Sequence, residues 1–217
     1  MRVLIVGGLA ALCAGCATTE TVQFRPSASQ QAMTRDGQSA LISRGKSSIV
    51  MVRPAGREVA ANGRPVFIVN LENTGTAPAD FRMAEVKART TAGHEIPILT
   101  YESLVKEERN RQVAMAILTG LSAGANSWSA AQYGGYWANR AASYDNAAMF
   151  HNAAVTGQAN LEQLEDTALK DHTLMPGERY AGQLHISPPP GDGTKTYQVS
   201  LMVGADRHEI HVDQVAK

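Results

Sequence analysis

This chain reads as mainly β, an antiparallel sandwich whose two halves are separated by a helical insertion. Three observations carry that reading. Short runs with period-two alternation of apolar and polar residues fill 39–99 and return after 172. Turn chemistry, Asn-Thr-Gly, Pro-Gly and Pro-Pro-Pro-Gly among it, punctuates those runs. Between them, 101–171 switches to apolar residues spaced by three and four.

At the amino terminus, Arg2 precedes an apolar run from Val3 to Leu12, and Cys13-Ala14-Gly15-Cys16 follows. Ten apolar residues are too few to cross a hydrocarbon core, which takes about 20 helical residues. The segment 1–15 therefore reads as a cleaved signal peptide, with the mature chain starting at Cys16. From there to 38 the residues are mostly Thr, Ser, Gln, Ala and Arg without a sustained period, which predicts a tether over 16–38.

The folded domain is expected over 39–217. Ser48 to Val52 forms a strand ending at Pro54, and Phe67, Val69 and Leu71 share one face of a strand over Val66 to Leu71. Glu72-Asn73-Thr74-Gly75-Thr76 is a turn, because Asn and Gly tolerate positive φ and Asn can bond its own backbone. Strands over Phe81 to Arg89, with Ala84, Val86 and Ala88 on one face, and over His94 to Leu99 complete the first half. In the second half Met175-Pro176-Gly177-Glu178 turns into a strand over Tyr180 to Ile186. Tyr197, Val199, Leu201 and Val203 then alternate strictly, and Gly204-Ala205-Asp206 leads by a hairpin into Arg207 to Val215. Seven or eight short strands of this kind indicate an antiparallel sandwich.

In the insertion, Leu104, Val105, Val113, Ile117, Leu118 and Leu121 suit one helix, and Leu161, Leu164, Ala168 and Leu169 suit a second over Asn160 to Lys170. Trp128, Tyr133, Tyr136, Trp137 and Tyr144 gather both tryptophans and half of the six tyrosines between 128 and 144. Aromatic side chains among small polar neighbours are enriched at recognition surfaces. They are candidate partner-binding residues, and the competing expectation is that the rings cover the sandwich where the insertion docks.

Two resemblances add to this reading. Ala14, Gly15 and Cys16 resemble the lipobox of bacterial lipoproteins, with Cys13 where that family most often has Leu. The resemblance implies a diacylglyceryl group on the Cys16 sulfur and, with Ala17 rather than Asp following, an outer-membrane address. Acyl chains contribute about 0.8 kcal/mol per buried methylene, so several of them anchor effectively permanently. Second, Phe67-Ile68-Val69-Asn70-Leu71-Glu72-Asn73-Thr74-Gly75, then Leu174-Met175-Pro176-Gly177 with Gly182, then Tyr197 to Val203, resemble Ig-like sandwich domains of bacterial lipoproteins. Among these is a group of telomere-repeat-factor-like domains of unknown function. That resemblance implies binding or envelope architecture rather than chemistry.

Composition excludes some classes. Loss of 1–15 leaves 19 basic against 20 acidic residues, a net charge of −1, with no basic patch of the kind nucleic acids require. Both cysteines, Cys13 and Cys16, lie in the leader region. Acylation of Cys16 would leave the mature domain without a thiol for a disulfide, a zinc-thiolate site or a nucleophile.

Candidate chemistry is sparse. In His208-Glu209-Ile210-His211-Val212-Asp213, strand alternation puts His208 with Ile210 and Val212, and His211 with Glu209 and Asp213. The two imidazoles face opposite ways, and a metal site or hydrolase built on His208 and His211 would need His185 or Asp206 from elsewhere. Ser122 in Gly120-Leu121-Ser122-Ala123-Gly124 matches the nucleophile-elbow string but continues a helix instead of leaving a strand. No cofactor or metal is expected. The chain thus reads as a non-enzymatic, lipid-anchored envelope component. An envelope protein, a second copy or the membrane interface would engage the insertion over 110–150.

Overall fold

A computed structural model describes residues 19–35, 37–133 and 135–217, the side chains at 35 and 124–141 excepted. Residues 1–15, which the sequence predicts to be a signal peptide, and Cys16 lie outside the described residues. Before the insertion, strands run over Thr19–Arg25 (β1), Gln30–Arg35 (β2), Gln38–Arg44 (β3), Ser48–Pro54 (β4), Val59–Ala60 (β5), Val66–Asn73 (β6) and Ala79–Phe81 (β7). Lys87–Thr90 (β8), Glu95–Ile96 (β9) and Ile98–Leu99 (β10) follow. The insertion is two helices, Tyr101–Tyr133 (α1) and Gly135–Thr167 (α2). His172–Leu174 (β11), Arg179–Ile186 (β12), Lys195–Val203 (β13) and Asp206–Ala216 (β14) end the chain.

These strands make an antiparallel sandwich of two six-stranded sheets, ordered β5-β1-β14-β13-β8-β9 and β10-β12-β6-β4-β3-β2, with β7 and β11 as a separate ribbon. Alternation decides which side chains face inward. Tyr197, Val199, Leu201 and Val203 from β13 meet Phe67, Val69 and Leu71 from β6, all at 3% exposure or less. The mainly β sandwich with a helical insertion between strand groups is therefore the fold of this chain.

Several elements differ from the sequence reading. The stretch 16–38 is not a tether where it is described: β1 and β2 occupy most of it, and β1 sits between β5 and β14. Glu20 and Val22 are buried on its inner face, an alternation hidden among polar letters. The strand expected over Phe81 to Arg89 is two strands separated by a 3-10 turn at Met83–Glu85. Met83 is buried there and Ala84 exposed, because the chain passes from the ribbon to a sheet. His94 to Leu99 likewise splits at Pro97, which has no N–H to donate, and the chain changes sheets. The total is 14 strands among the described residues, not seven or eight.

Turn chemistry reads true at Asn73, which is fully buried. Its Oδ1 accepts from Gly75 N–H at 2.9 Å, and its Nδ2 donates to Ala77 O at 2.8 Å and Leu174 O at 2.9 Å. One side chain thus ties both turns at that end of the sandwich. Gly204, at φ 57°, starts the two-residue hairpin between Val203 and Asp206.

Gly182 has a different role. A Cβ there would stand 2.7 Å from Leu169 Cα and 2.8 Å from Leu169 N, where the chain leaving α2 bonds back to β12 through Leu169 N–H and Gln183 O at 3.0 Å. Backbone cannot retreat from this contact without losing that bond. Gly182→Ala is expected to cost about 1–3 kcal/mol of stability, read as a lower urea midpoint at unchanged slope.

Candidate functional site

The two helices form an antiparallel hairpin. Glu108 Oε1 accepts from Asn160 Nδ2 at 3.1 Å, Gln112 Nε2 donates to Gly157 O at 2.9 Å, and Asn146 Nδ2 donates to Ala123 O at 3.2 Å. As one partner number rises the other falls, so the chains run in opposite directions. At 33 residues each, the helices are about 50 Å long.

Direction follows from the contacts at the base. Leu99 pairs with His185, the Tyr101 ring lies 4.2 Å from Lys170 Nζ, and Ala168 bridges to Gln183. Both ends of the hairpin therefore meet β12. Further along α1, Glu107 binds Arg64 at 3.0 Å, and Arg64 precedes β6, whose Val66 pairs with His185 at the end of β12. The hairpin accordingly climbs toward the end of the sandwich that carries 59–65. β1 starts at that same end, since Thr19 pairs with Ala60 and Glu20 Oε1 accepts from Asn62 N–H.

Charge divides the hairpin along its length. At the base, Glu108 is buried with Arg111 at 2.7 Å, and Gln112 and Asn160 donate to it. Burial would raise its pKa, but the hydrogen bonds from Asn160, Gln112 and Arg111 prevail and hold it below the ordinary value. Beyond this clamp, 113–161 contains only Arg140 and Asp145 as formal charges, with His151.

Leu104, Val105, Val113, Ile117, Leu118 and Leu121 all belong to α1, as their spacing predicts. Leu104 is buried, but Val113, Ile117, Leu118 and Leu121 are 61%, 60%, 57% and 67% exposed. Val113, Ile117 and Leu121 repeat every four residues on a side of α1 away from Gln112 and buried Ala123, which face α2. An apolar stripe of this kind without a covering element is the hallmark of an interaction surface, whereas scattered single residues are ordinary. Beside it an open groove of about 670 Å³ runs between the helices, lined in part by Met115, Thr119, Met149 and Phe150.

Of the candidate aromatics, the side chains of Trp128, Tyr133, Tyr136 and Trp137 lie outside the described residues; their backbone belongs to α1 and α2. Tyr144 is 64% exposed on α2 and so does not cover the sandwich. Ser122 is exposed within α1, with no strand-to-helix turn around it.

A second cluster joins the two sheets. His208 is buried on the inner face of β14, whereas His211 lies on the opposite face beside Glu209 and Asp213. Asp206 Oδ2 accepts from Ser47 N–H at 2.7 Å, Ser48 Oγ–H at 2.8 Å and Ser47 Oγ–H at 3.1 Å. Burial would raise the Asp206 pKa, but these donors, the Ser47 N–H foremost, lower it to about 2. Ser48 spends its only proton on Asp206, so its oxygen accepts from His208 Nε2–H at 2.8 Å. Burial lowers the His208 pKa against the pull of Asp206, which keeps the ring neutral and makes Nδ1 an acceptor for Ser43 Oγ–H at 3.0 Å. Gln30 Nε2 then donates to Ser43 Oγ at 3.3 Å.

Every proton in this chain is accounted for, from Gln30 on β2 to Asp206 on β14. Ser48 has no exposed surface, and the aspartate holds the serine instead of orienting the histidine as in a catalytic triad. The network fastens one sheet to the other. A Cβ at Gly45 would collide with the Asp206 carboxylate, which explains glycine there. Among the described residues, no three His, Cys, Asp or Glu side chains stand close enough to hold a metal ion.

Sequence reasoning missed Ser43 and Ser48 as partners of His208. It also missed a buried trio on adjacent strands, Glu20, Gln214 and Lys195. A usable signal was present in β14, where Asp206, His208 and Gln214 keep the same parity as Ile210 and Val212. Comparisons with protein-family models, curated proteins and solved structures find no match.

Proposed function

We propose that this chain is an envelope lipoprotein, held at the outer membrane by acylated Cys16, whose helical hairpin is a non-enzymatic binding or assembly element. The observation that carries the reading is the uncovered stripe Val113, Ile117, Leu118 and Leu121 on a hairpin that leaves the sandwich. Fully burying one such side chain is worth about 1.5–3 kcal/mol, so four of them hold enough free energy to drive a specific association. The stripe contributes nothing comparable to the stability of the isolated fold. The lipobox at Ala14-Gly15-Cys16 supports the anchor, and the likeness to lipoprotein sandwich domains supports the envelope setting. A hydrolase or metal site on His208 and His211 gains no support from imidazoles on opposite faces of β14.

Gln112 and Gly157 touch across the hairpin, so a short Gly-Ser link can replace 113–156 without opening the base. This shortened protein is expected to unfold with the same midpoint as the parent and to lose whatever the parent crosslinks to in native envelopes. Equal crosslinking by both proteins would contradict the reading.

A further inference from the structure

We infer that the exposed face of α1 and the charge-poor outer half of the hairpin rest in the lipid interface of the bilayer that holds the anchor. The inference deepens the lipoprotein reading and rests on it. Its first support is position. Cys16 precedes Thr19 by three residues, which span at most about 10 Å, and Thr19 lies at the end of the sandwich past which the hairpin climbs. From 113 to the end of α1 at Tyr133 the helix advances about 30 Å. A domain held within about 10 Å of the membrane brings a longer rod that leaves toward its anchored end within reach of that membrane.

Charge is the second support. Glu102, Lys106, Glu107, Glu108, Arg109 and Arg111 crowd the first turns of α1, and Glu162, Glu165 and Asp166 the last turns of α2. Between them Arg140 and Asp145 are the sole formal charges. A rod built for water would carry charge along its whole length; this one loses it where it would approach lipid. The depth follows from composition. Asn, Ser, Gln and Thr interrupt the apolar residues throughout 113–161, and among the described residues no helix is long and apolar enough to cross a membrane. A helix too polar to cross can still rest along the interface with its exposed apolar side chains toward the acyl chains. Val113, Ile117, Leu118 and Leu121 are those side chains on α1, and both tryptophans of the chain, Trp128 and Trp137, belong to the outer hairpin. Trp is enriched at membrane–water boundaries.

The two tryptophans make the test direct. The acylated full-length mature protein is reconstituted into phosphatidylethanolamine–phosphatidylglycerol vesicles, with and without brominated acyl chains, and followed by flotation and tryptophan emission. The expected result is a protein that floats and loses emission in brominated vesicles. Ile117→Glu with Leu121→Glu, both at exposed positions, should still float and regain emission. Flotation with emission indifferent to bromine overturns the inference and leaves the anchor standing; hairpin-to-hairpin crosslinks in that case identify a second copy as the occupant. Failure to float overturns the anchor and the inference together.

Discussion

Lys195→Met is expected to lower the free energy of unfolding by about 3–5 kcal/mol, because it strands a buried carboxylate. Lys195 Nζ lies 2.6 Å from Glu20 Oε1, with the two side chains 2% and 5% exposed. Gln214 Nε2 donates to the other oxygen of Glu20, and Tyr197 OH donates to Gln214 Oε1 at 3.4 Å. Burial would raise the Glu20 pKa, but the hydrogen bonds from Lys195 and Gln214 outweigh it and hold the group ionised. Without the ammonium the carboxylate keeps its desolvation cost and loses its counter-charge. Since Glu20, Gln214 and Lys195 belong to β1, β14 and β13, the damage falls on attachment of the first strand. Limited proteolysis should cut the variant within β1 before the rest of the sandwich. The double change Glu20→Leu with Lys195→Met removes both charges and should recover most of the loss. Urea unfolding of the parent and both variants measures this, and a Lys195→Met loss below about 1 kcal/mol would place the pair in the weak class of surface bridges.

Acidification should remove stability in two separate windows. Burial lowers the folded-state pKa of His208, and of His185, below the ordinary value of 6.5. The unfolded chain therefore takes up protons first, so this contribution is complete above 6.5 and is lost as pH falls through the folded-state values. Protonated His208 would present a donor at both nitrogens, and Ser43 could no longer donate to Nδ1. His208→Gln should flatten part of this window, with the share due to His185 left in place, and cost about 1–3 kcal/mol at neutral pH through unpaired buried groups. Asp206 contributes to the second window, together with Glu20 and Glu108, whose pKa values folding also lowers. The Asp206 pKa falls from 3.8 to about 2 on folding, so about 2 kcal/mol present at neutral pH is lost as pH drops through that interval. Asp206→Asn should remove its own share of this second slope, with the shares of Glu20 and Glu108 left in place, and lower stability throughout. Unfolding free energies across the pH range check both windows, and a profile for Asp206→Asn parallel to the parent would refute the assignment.

Much of the sandwich was legible because its strands keep strict parity. Val66 to Leu71 and Tyr197 to Val203 put large apolar residues on one face, and their turns carry Asn73-Thr74-Gly75 and Gly204. β1 was illegible for a physical reason: its inward positions include Glu20, made tolerable by Lys195, 175 residues away in sequence, and by Gln214. A rule that equates inward with apolar cannot find such a strand. Phe81 to Arg89 misled in the opposite sense, since the parity of Val86 and Ala88 continued backward through Ala84 while the chain was in fact turning at Met83–Glu85.

The insertion shows what periodicity measures. Spacing by three and four identified helices correctly, but it cannot say whether an apolar stripe is covered. In α1 the first turns reach the sandwich, where Leu104 is buried, whereas Val113, Ile117 and Leu121, on the other side of the helix, face outward. For the His208 cluster, alternation correctly separated His208 from His211. The serines that complete the network come from β3 and β4, and only the packing of one sheet on the other brings them there.

The most direct measurement uses the scarcity of thiols in this chain. Acylation of Cys16 would leave the mature protein without a free sulfhydryl, so Ile117→Cys would be uniquely reactive, and Thr91→Cys on an exposed loop serves as control. Both are exposed to a water-soluble maleimide in native envelopes and again after detergent. Protection at position 117 that detergent abolishes, with position 91 reactive throughout, is the result expected of a covered α1 face. Equal reactivity at 117 before and after detergent would contradict it.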